Sequence, residues 1–277
     1  MSIPASPPRR CAVRVYWQLA LCAFQRCAVY RLANVTGIAV NFFFFLVHAQ
    51  VFLAFFEGRG RVAGYDGNDA VLYFAASESL MMVIGIMSAS TNLKVAERVR
   101  SGDIAVDLAR PLRLWRRHLA EAYGSGAYYL IARATVLYGA AVWLFELDVP
   151  LRAELMCLPV AVVLAIAAAS LAGYVAAASA YWIEGARGPI SATLFASLIF
   201  GGVFVPIDFY PDAVRSVCAV LPFRAMAHTP LAIAAGRLSG HALANAMLHQ
   251  MVWVTLLCAA AHAAELLGTR RLAAVGG

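Results

Sequence analysis

The sequence predicts an all-α membrane protein of six transmembrane helices, with an N-terminal interfacial helix and a re-entrant helical hairpin before the last span. Three observations carry that prediction. Of 277 residues, 62% are hydrophobic and 13% charged, with a mean hydropathy of +0.74, whereas a soluble domain carries roughly 25% charge. Apolar runs of about 20 residues, enough to cross a hydrocarbon core about 30 Å thick, occur at 34–56, 69–90, 127–145, 155–182, 190–207 and 243–264. Residues 201–230, GGVFVPIDFYPDAVRSVCAVLPFRAMAHTP, end an apolar run in prolines, reverse, and return without a second full span. Non-helical backbone near membrane depth survives only where protein or a water-lined cavity satisfies its polar groups, so such a segment belongs to a transport path or its gate.

Taken in order, residues 9–32 resemble a signal peptide only superficially. Arg14, Gln18, Gln25, Arg26 and Arg31 interrupt the apolar stretch and no cleavage site follows. Val13, Trp17, Ala20, Phe24 and Ala28 recur at three- and four-residue spacing opposite Arg10, Arg14, Gln18 and Gln25, the pattern of a helix lying along a membrane surface. Residues 1–33 thus form an N-terminal segment ahead of a single membrane domain at 34–277, within which no repeat or linker marks a soluble domain.

In the first span Asn34, Asn41 and His48 fall at intervals of seven, on one side of a helix. They either line a polar path or hydrogen-bond between helices. In the second, Glu78 is the clearest ionisable residue inside an apolar run and shares a face with Met81, Gly85, Ser88 and Asn92. A carboxylate there faces a partner or water, so Glu78 either contributes to a substrate path or reaches the outer headgroups. The fourth span carries Ala165, Ala169, Gly173 and Ala177 at four-residue intervals, a ridge for close helix packing. The six cysteines show no metal spacing and no structural disulfide is expected.

Lys and Arg near span ends mark the cytoplasmic side. Arg9, Arg10, Arg14, Arg26, Arg31, Lys94, Arg98, Arg100, Arg110, Arg113, Arg116, Arg117, Arg187, Arg270 and Arg271 fall on one side. The opposite connections hold six arginines against eight acids, Glu57, Asp66, Asp69, Glu146, Asp148, Glu154, Asp208 and Asp212. Both termini are therefore expected in the cytoplasm. The net charge of +7 reads as topology and attraction to anionic lipid, with no nucleic-acid partner.

Hydrolytic, redox and metal motifs are missing, and so is a P-loop, since the only lysine is Lys94 in ASTNLKVAER. The largest basic connection is LKVAERVRSGDIAVDLARPLRLWRRHLAEAYG. Ser101-Gly102-Asp103 can turn and cap a short helix over 104–109, which Arg110-Pro111 ends. The alternation of Ile104, Val106 and Leu108 favours a contacted surface over a solvated loop.

At these residues the chain resembles the permease subunits of ABC type 2 exporters, in the subgroup where two related permeases share a separately encoded ATPase. ERVRSGDIAVDLARPL is similar to that subgroup's arginine, Ser-Gly-Glu/Asp, apolar run and Arg-Pro. GGVFVPIDFYPDAVRSVCAVLPFRAMAHTPLAI is similar to its fifth-span end, external hairpin and Leu-Pro-Phe return, with Arg224 and His228 as departures. The resemblance implies a coupling helix between the second and third spans, docked on the ATPase through Ser101, Gly102, Asp103, Ile104, Ala105, Val106, Asp107, Leu108, Ala109 and Arg110, with a lesser contact at Arg187. It implies no enzyme activity and no cofactor in this chain, ATP and Mg being held by the partner ATPase. A second permease, either a related chain or a second copy, completes the unit in the cell membrane. Asn41, His48, Glu78 and Phe195 are the expected substrate path; Val205, Pro206, Phe209, Pro211, Leu221, Pro222 and Phe223 are the expected outer gate. The aromatic-rich lining suits many amphiphiles equally; amphipathic, drug-like or lipid-like cargo is what the resemblance implies. An ion- or proton-coupled secondary transporter, resting on Glu78 and His48, is the competing reading.

Overall fold

A computed structural model describes residues 9–85, 88–108 and 112–275, and every regular element among them is helical. They are α1 (Arg9–Val29), α2 (Arg31–Phe56), α3 (Gly67–Ile84), α4 (Ala89–Ser101), α5 (Ile104–Leu108), α6 (Leu114–Phe145), α7 (Ala153–Tyr181), α8 (Arg187–Phe200), α9 (Asp212–Val220), α10 (Arg224–Ala234) and α11 (Gly240–Val275). Four of these, α2, α6, α7 and α11, are long and apolar enough to cross a membrane. The pair α9 and α10, bent by 82°, would make a fifth if counted as one broken span.

The helix at the centre is α3. Thirteen of its 18 residues are buried, so neighbouring helices rather than lipid surround it, which is what allows an apolar run to carry Glu78. A capping box fixes its start: the Asp66 carboxylate accepts from the Asp69 N–H at 2.9 Å, and Asp69 accepts from the Asp66 N–H at 3.3 Å. Gly85, left-handed at φ 77°, ends it. The expected span over 69–90 therefore stops at Ile84, and Ser88 and Asn92 do not continue the Glu78 face. Asn92 belongs to α4 and packs into the gap left by Gly173 of α7. Of the ridge of small residues on α7, Ala165, Gly173 and Ala177 are buried and Ala169 is half-buried, with Ala177 clustered with Ala96 and Ile190.

Two helices outrun their expected spans. At a rise of 1.5 Å per residue, the 32 residues of α6 reach about 48 Å and the 36 of α11 about 54 Å, well beyond the bilayer core. Their surplus ends lie together at the arginine-rich end of the bundle, where the buried Glu265 carboxylate of α11 accepts from the Trp115 N–H in the first turn of α6 at 3.1 Å and from the Tyr174 hydroxyl at 3.4 Å. A carboxylate at a helix N-terminus is favoured by the dipole and by the free N–H groups. The surplus half of α6 is covered by α1: Gly124 lets it close on the Ala20 carbonyl, and Phe24 meets Tyr128 edge to face. On α1 it is Ala23 that is buried, while Val13 and Trp17 of the expected apolar face remain exposed. The fifth run is shorter than expected, because α8 ends at Phe200 after 14 residues and residues 201–206 leave the helix.

Candidate coupling surface, transport path and gate

At the arginine-rich end, the turn at 101–103 forms as its residue types require. Gly102 is left-handed at φ 81°, a conformation that L side chains rarely adopt, and the Ser101 hydroxyl donates to Asp103 at 2.8 Å. All three residues are exposed. In α5 Ile104 is buried and Val106 is 61% exposed. Asp107 faces inward: its carboxylate, 4% exposed, forms an ion pair with Arg98 of α4 at 2.8 Å and accepts from Arg117 of α6 at 3.0 Å, and Arg117 also holds Glu121 at 2.9 Å. Asp107 is thus an anchor and offers nothing to a docked partner, whereas Ser101, Gly102, Asp103 and Val106 form the free surface. Ala105 and Leu108 lie in the same short helix; Ala109 and Arg110 fall outside the described residues. Arg26 of α1 reaches Glu121 at 3.8 Å, which extends the network to the N-terminal helix. Arg187 begins α8 and is exposed.

In the bundle, the structure brings together two of the four expected path residues. His48 Nδ1 lies 3.5 Å from Glu78 Oε1, and the imidazole stacks on Phe74 at 5.1 Å and near Phe204 at 6.4 Å. The other Glu78 oxygen is buried without a partner among the described residues. Asn41 is half-buried two turns from His48. Phe195 points away on α8, 61% exposed, and does not join the pair. Asn34, which shares the Asn41 and His48 face, acts between helices: its amide donates to the Cys27 carbonyl at 2.8 Å and the Tyr128 hydroxyl at 2.7 Å.

One residue of this region lay beyond sequence reasoning. Arg133, buried inside the third apolar run, donates to the Ala33 carbonyl at 3.0 Å and to Asn34 Oδ1 at 3.1 Å, with its guanidinium over the Tyr129 ring. A π-turn at Leu130–Ala134 carries it, and the absence of a side chain at Gly37 makes room for the guanidinium. An arginine in an apolar run was the signal; its partner 99 residues away was not visible.

The hairpin solves its backbone problem with borrowed side chains. After α8, the Gly202 and Val203 carbonyls accept from the Tyr73 and Ser77 hydroxyls of α3 at 2.7 and 2.9 Å. Gln250 of α11, fully buried, donates to the Ala225 carbonyl in the π-turn of α10 at 2.8 Å and to Ala161 at 3.1 Å. Trp253 donates to Val220 at the end of α9 at 3.1 Å. Of the expected gate residues, Pro206 is buried, Val205, Leu221 and Pro222 are half-buried and Pro211 is exposed. Phe209 sits among Phe52, Phe55, Phe56 and Tyr65, with ring centroids 5.3–6.5 Å apart, and Phe223 stacks on Phe200 at 6.1 Å. Tyr65 donates to Asp208 at 2.7 Å, and Arg237 covers its ring at 4.1 Å while pairing with Asp69. Burial and the neighbouring Asp208 charge push the Tyr65 phenol well above its ordinary range. Cys157 and Cys218 are free thiols.

The model of the ABC-2 family transporter proteins matches residues 37–276, from the second turn of α2 to the end of α11. The chain belongs to the ABC-2 transporter family. No curated protein and no solved structure matches it significantly. As an ABC-2 family member with several apolar helices it is a multi-pass membrane protein and a permease component of an ABC transporter, which implies an ABC ATPase as partner.

Proposed function

We propose that this ABC-2 protein is the transmembrane subunit of an ATP-driven exporter, moving an amphipathic, drug-like or lipid-like substrate out of the cytoplasm with a separate ATPase that holds ATP and Mg. The observation that carries this reading is the clamped α5. A five-residue helix has too few internal hydrogen bonds to stand alone, yet Arg98 and Arg117 fix it through Asp107 and leave Ser101, Gly102, Asp103 and Val106 outward. A surface held this firmly at the end of the bundle can pass force from a docked partner into α4 and α6.

In this reading the arginine-rich end is cytoplasmic, both termini included, and α1 lies on the inner leaflet through Val13 and Trp17. The six crossings are α2, α3, α6, α7, α8 and α11, with the pair α9 and α10 as a re-entrant lid on the external side. A second permease, related or identical, completes the path along α2 and α8, whose outer faces expose Phe43, Phe44, Val47, Phe195 and Ile199. Reconstitution with the cognate ATPase tests the proposal: export should stop when the ATPase loses its catalytic glutamate, and export that continues refutes it.

The pairing of His48 with Glu78 favours a second reading, ion- or proton-coupled transport. Its test is a gradient across ATP-depleted vesicles: transport driven by the gradient alone, and abolished by Glu78→Gln, would establish it. Unchanged transport by Glu78→Gln across pH removes that role.

A further inference from the structure

Beneath α9 lies a cavity of about 230 Å3 lined by Ile207, Asp208, Arg215, Ser216, Ala219, Arg224 and His228. A water occupies about 30 Å3 in the liquid, so the space holds a small polyatomic ion with some of its hydration. Two of its basic side chains lack a protein partner. Arg224 makes no side-chain hydrogen bond or ion pair among the described residues, and its Nε is sealed from solvent; His228 is 4% exposed, with Nδ1 likewise unpartnered. The remaining charges are engaged: Arg215 pairs with Asp212 at 3.1 Å and donates to the Tyr210 carbonyl, and Asp208 accepts from Tyr65. Arg224 is half-buried, and a sealed Nε–H and a sealed imidazole nitrogen without partners are both costly. Arg215 is matched by Asp212, and neither Arg224 nor His228 pairs with Asp208 among the described residues, so these two donors face the cavity without an acceptor, which an anion would supply.

We propose that this cavity binds a phosphate-type oxyanion, with Arg224 and His228 as its donors and Ser216 beside them. A guanidinium presents paired N–H groups matched to two phosphate oxygens. The opposite face of α9 exposes Val214, Val217 and Val220, which sets the helix against an apolar surround and makes an amphiphile's headgroup a natural source alongside free phosphate. Only the external placement of the site rests on the exporter reading. Binding to the purified chain needs no ATPase, so failure here and failure of that reading are distinguishable.

The test is titration of the detergent-solubilised full chain with inorganic phosphate by calorimetry at constant ionic strength. Native mass spectrometry with phosphatidylglycerol, and with diacylglycerol as the phosphate-free control, forms the second arm. Loss of one charge-assisted contact should weaken binding about tenfold or more in Arg224→Gln and in His228→Gln, with Arg224→Lys partly restoring it and Arg152→Gln unchanged. Phosphate binding weakened in this way assigns a free oxyanion. Selective retention of phosphatidylglycerol, weakened likewise, assigns a lipid headgroup. No binding in either arm, or wild-type binding in both variants, overturns the proposal; should Arg224→Gln fail to fold, His228→Gln and Arg224→Lys decide it.

Discussion

Replacing Asp107 with asparagine keeps the shape of the α5 anchor and removes its charge. In the wild type the carboxylate is ion-paired with Arg98 at 2.8 Å and accepts from Arg117 at 3.0 Å. Hydrogen bonds to charged groups contribute about 1.5–3 kcal/mol each. Several circumstances reduce the loss: the arginine side chains are 41% and 28% exposed and regain water, Arg117 keeps Glu121, and asparagine still accepts one bond. A net cost of about 2 kcal/mol remains, roughly a 30-fold rise in the population with α5 released. Hydrogen exchange of the segment 101–107 should accelerate by about that factor while α3 and α7 keep their protection, and export should fall with ATPase docking. A cycle of Asp107→Asn, Arg98→Gln and the double variant should show a coupling of about 1 kcal/mol. Wild-type exchange in this segment together with wild-type export would refute the anchoring argument.

Other perturbations separate the remaining elements. Tyr65→Phe removes the donor to Asp208 and should cost about 1–3 kcal/mol; because the folded phenol is raised above its ordinary 10.0, its stabilisation is intact below about pH 10 and erodes above it, so the melting temperature should decline in alkali more steeply in the wild type than in the variant. Gln250→Leu leaves the Ala161 and Ala225 carbonyls without their donor and should destabilise by about 2 kcal/mol or more, read as a lower melting temperature with faster proteolysis at the hairpin. Gly37→Val displaces the Arg133 guanidinium from Asn34; breaking a buried charged contact costs about 3–5 kcal/mol, and the yield of folded protein in size-exclusion chromatography should collapse. Asp66→Ala removes one half of the α3 capping box and should cost about 1 kcal/mol, measured as a modest fall in melting temperature.

Apolar length was the most legible property, because a run such as 155–182 needs only composition to declare itself, and α7 follows it to within two residues. Breaks were harder. Gly85 is one glycine inside an apolar run, tolerated in many helices, and only its left-handed backbone shows that α3 stops there. Polar extensions were hidden for the opposite reason: residues 114–126 read as a basic connection, yet α1 and Glu265 supply the packing and the cap that keep them helical. The alternation of Ile104, Val106 and Leu108 has the period of a strand. A helix instead places residues three apart on one face, so Ile104 and Asp107 turn inward together. The Ser101-Gly102-Asp103 turn was legible because it is local chemistry; Arg98, Arg117 and Glu265 were not, because sequence spacing carries no information about partners tens of residues away.

With so few charged and polar side chains, where each is used constrains what the bundle can do. Tyr73, Ser77, Gln250 and Trp253 all donate to backbone carbonyls of the hairpin or of α7, and Asn34 with Arg133 ties α2 to α6. These groups are occupied by the fold, as an interior without water requires. Among the buried groups left incompletely partnered are His48 with Glu78, and Arg224 with His228. Both flank one stretch of chain, since Phe204 stacks near His48 while Ile207 and Asp208 line the cavity of Arg224 and His228. The carboxyl group of Glu78 on one side and the Arg224 guanidinium on the other place groups of opposite character on either side of residues 204–208. A zwitterionic or doubly functional amphiphile meets complementary groups there, so variants in Glu78 and Arg224 should change cargo preference in opposite senses: Glu78→Gln against cationic cargo and Arg224→Gln against anionic cargo, read in competition export assays. Parallel losses for both cargo types would show instead that the two residues serve the fold.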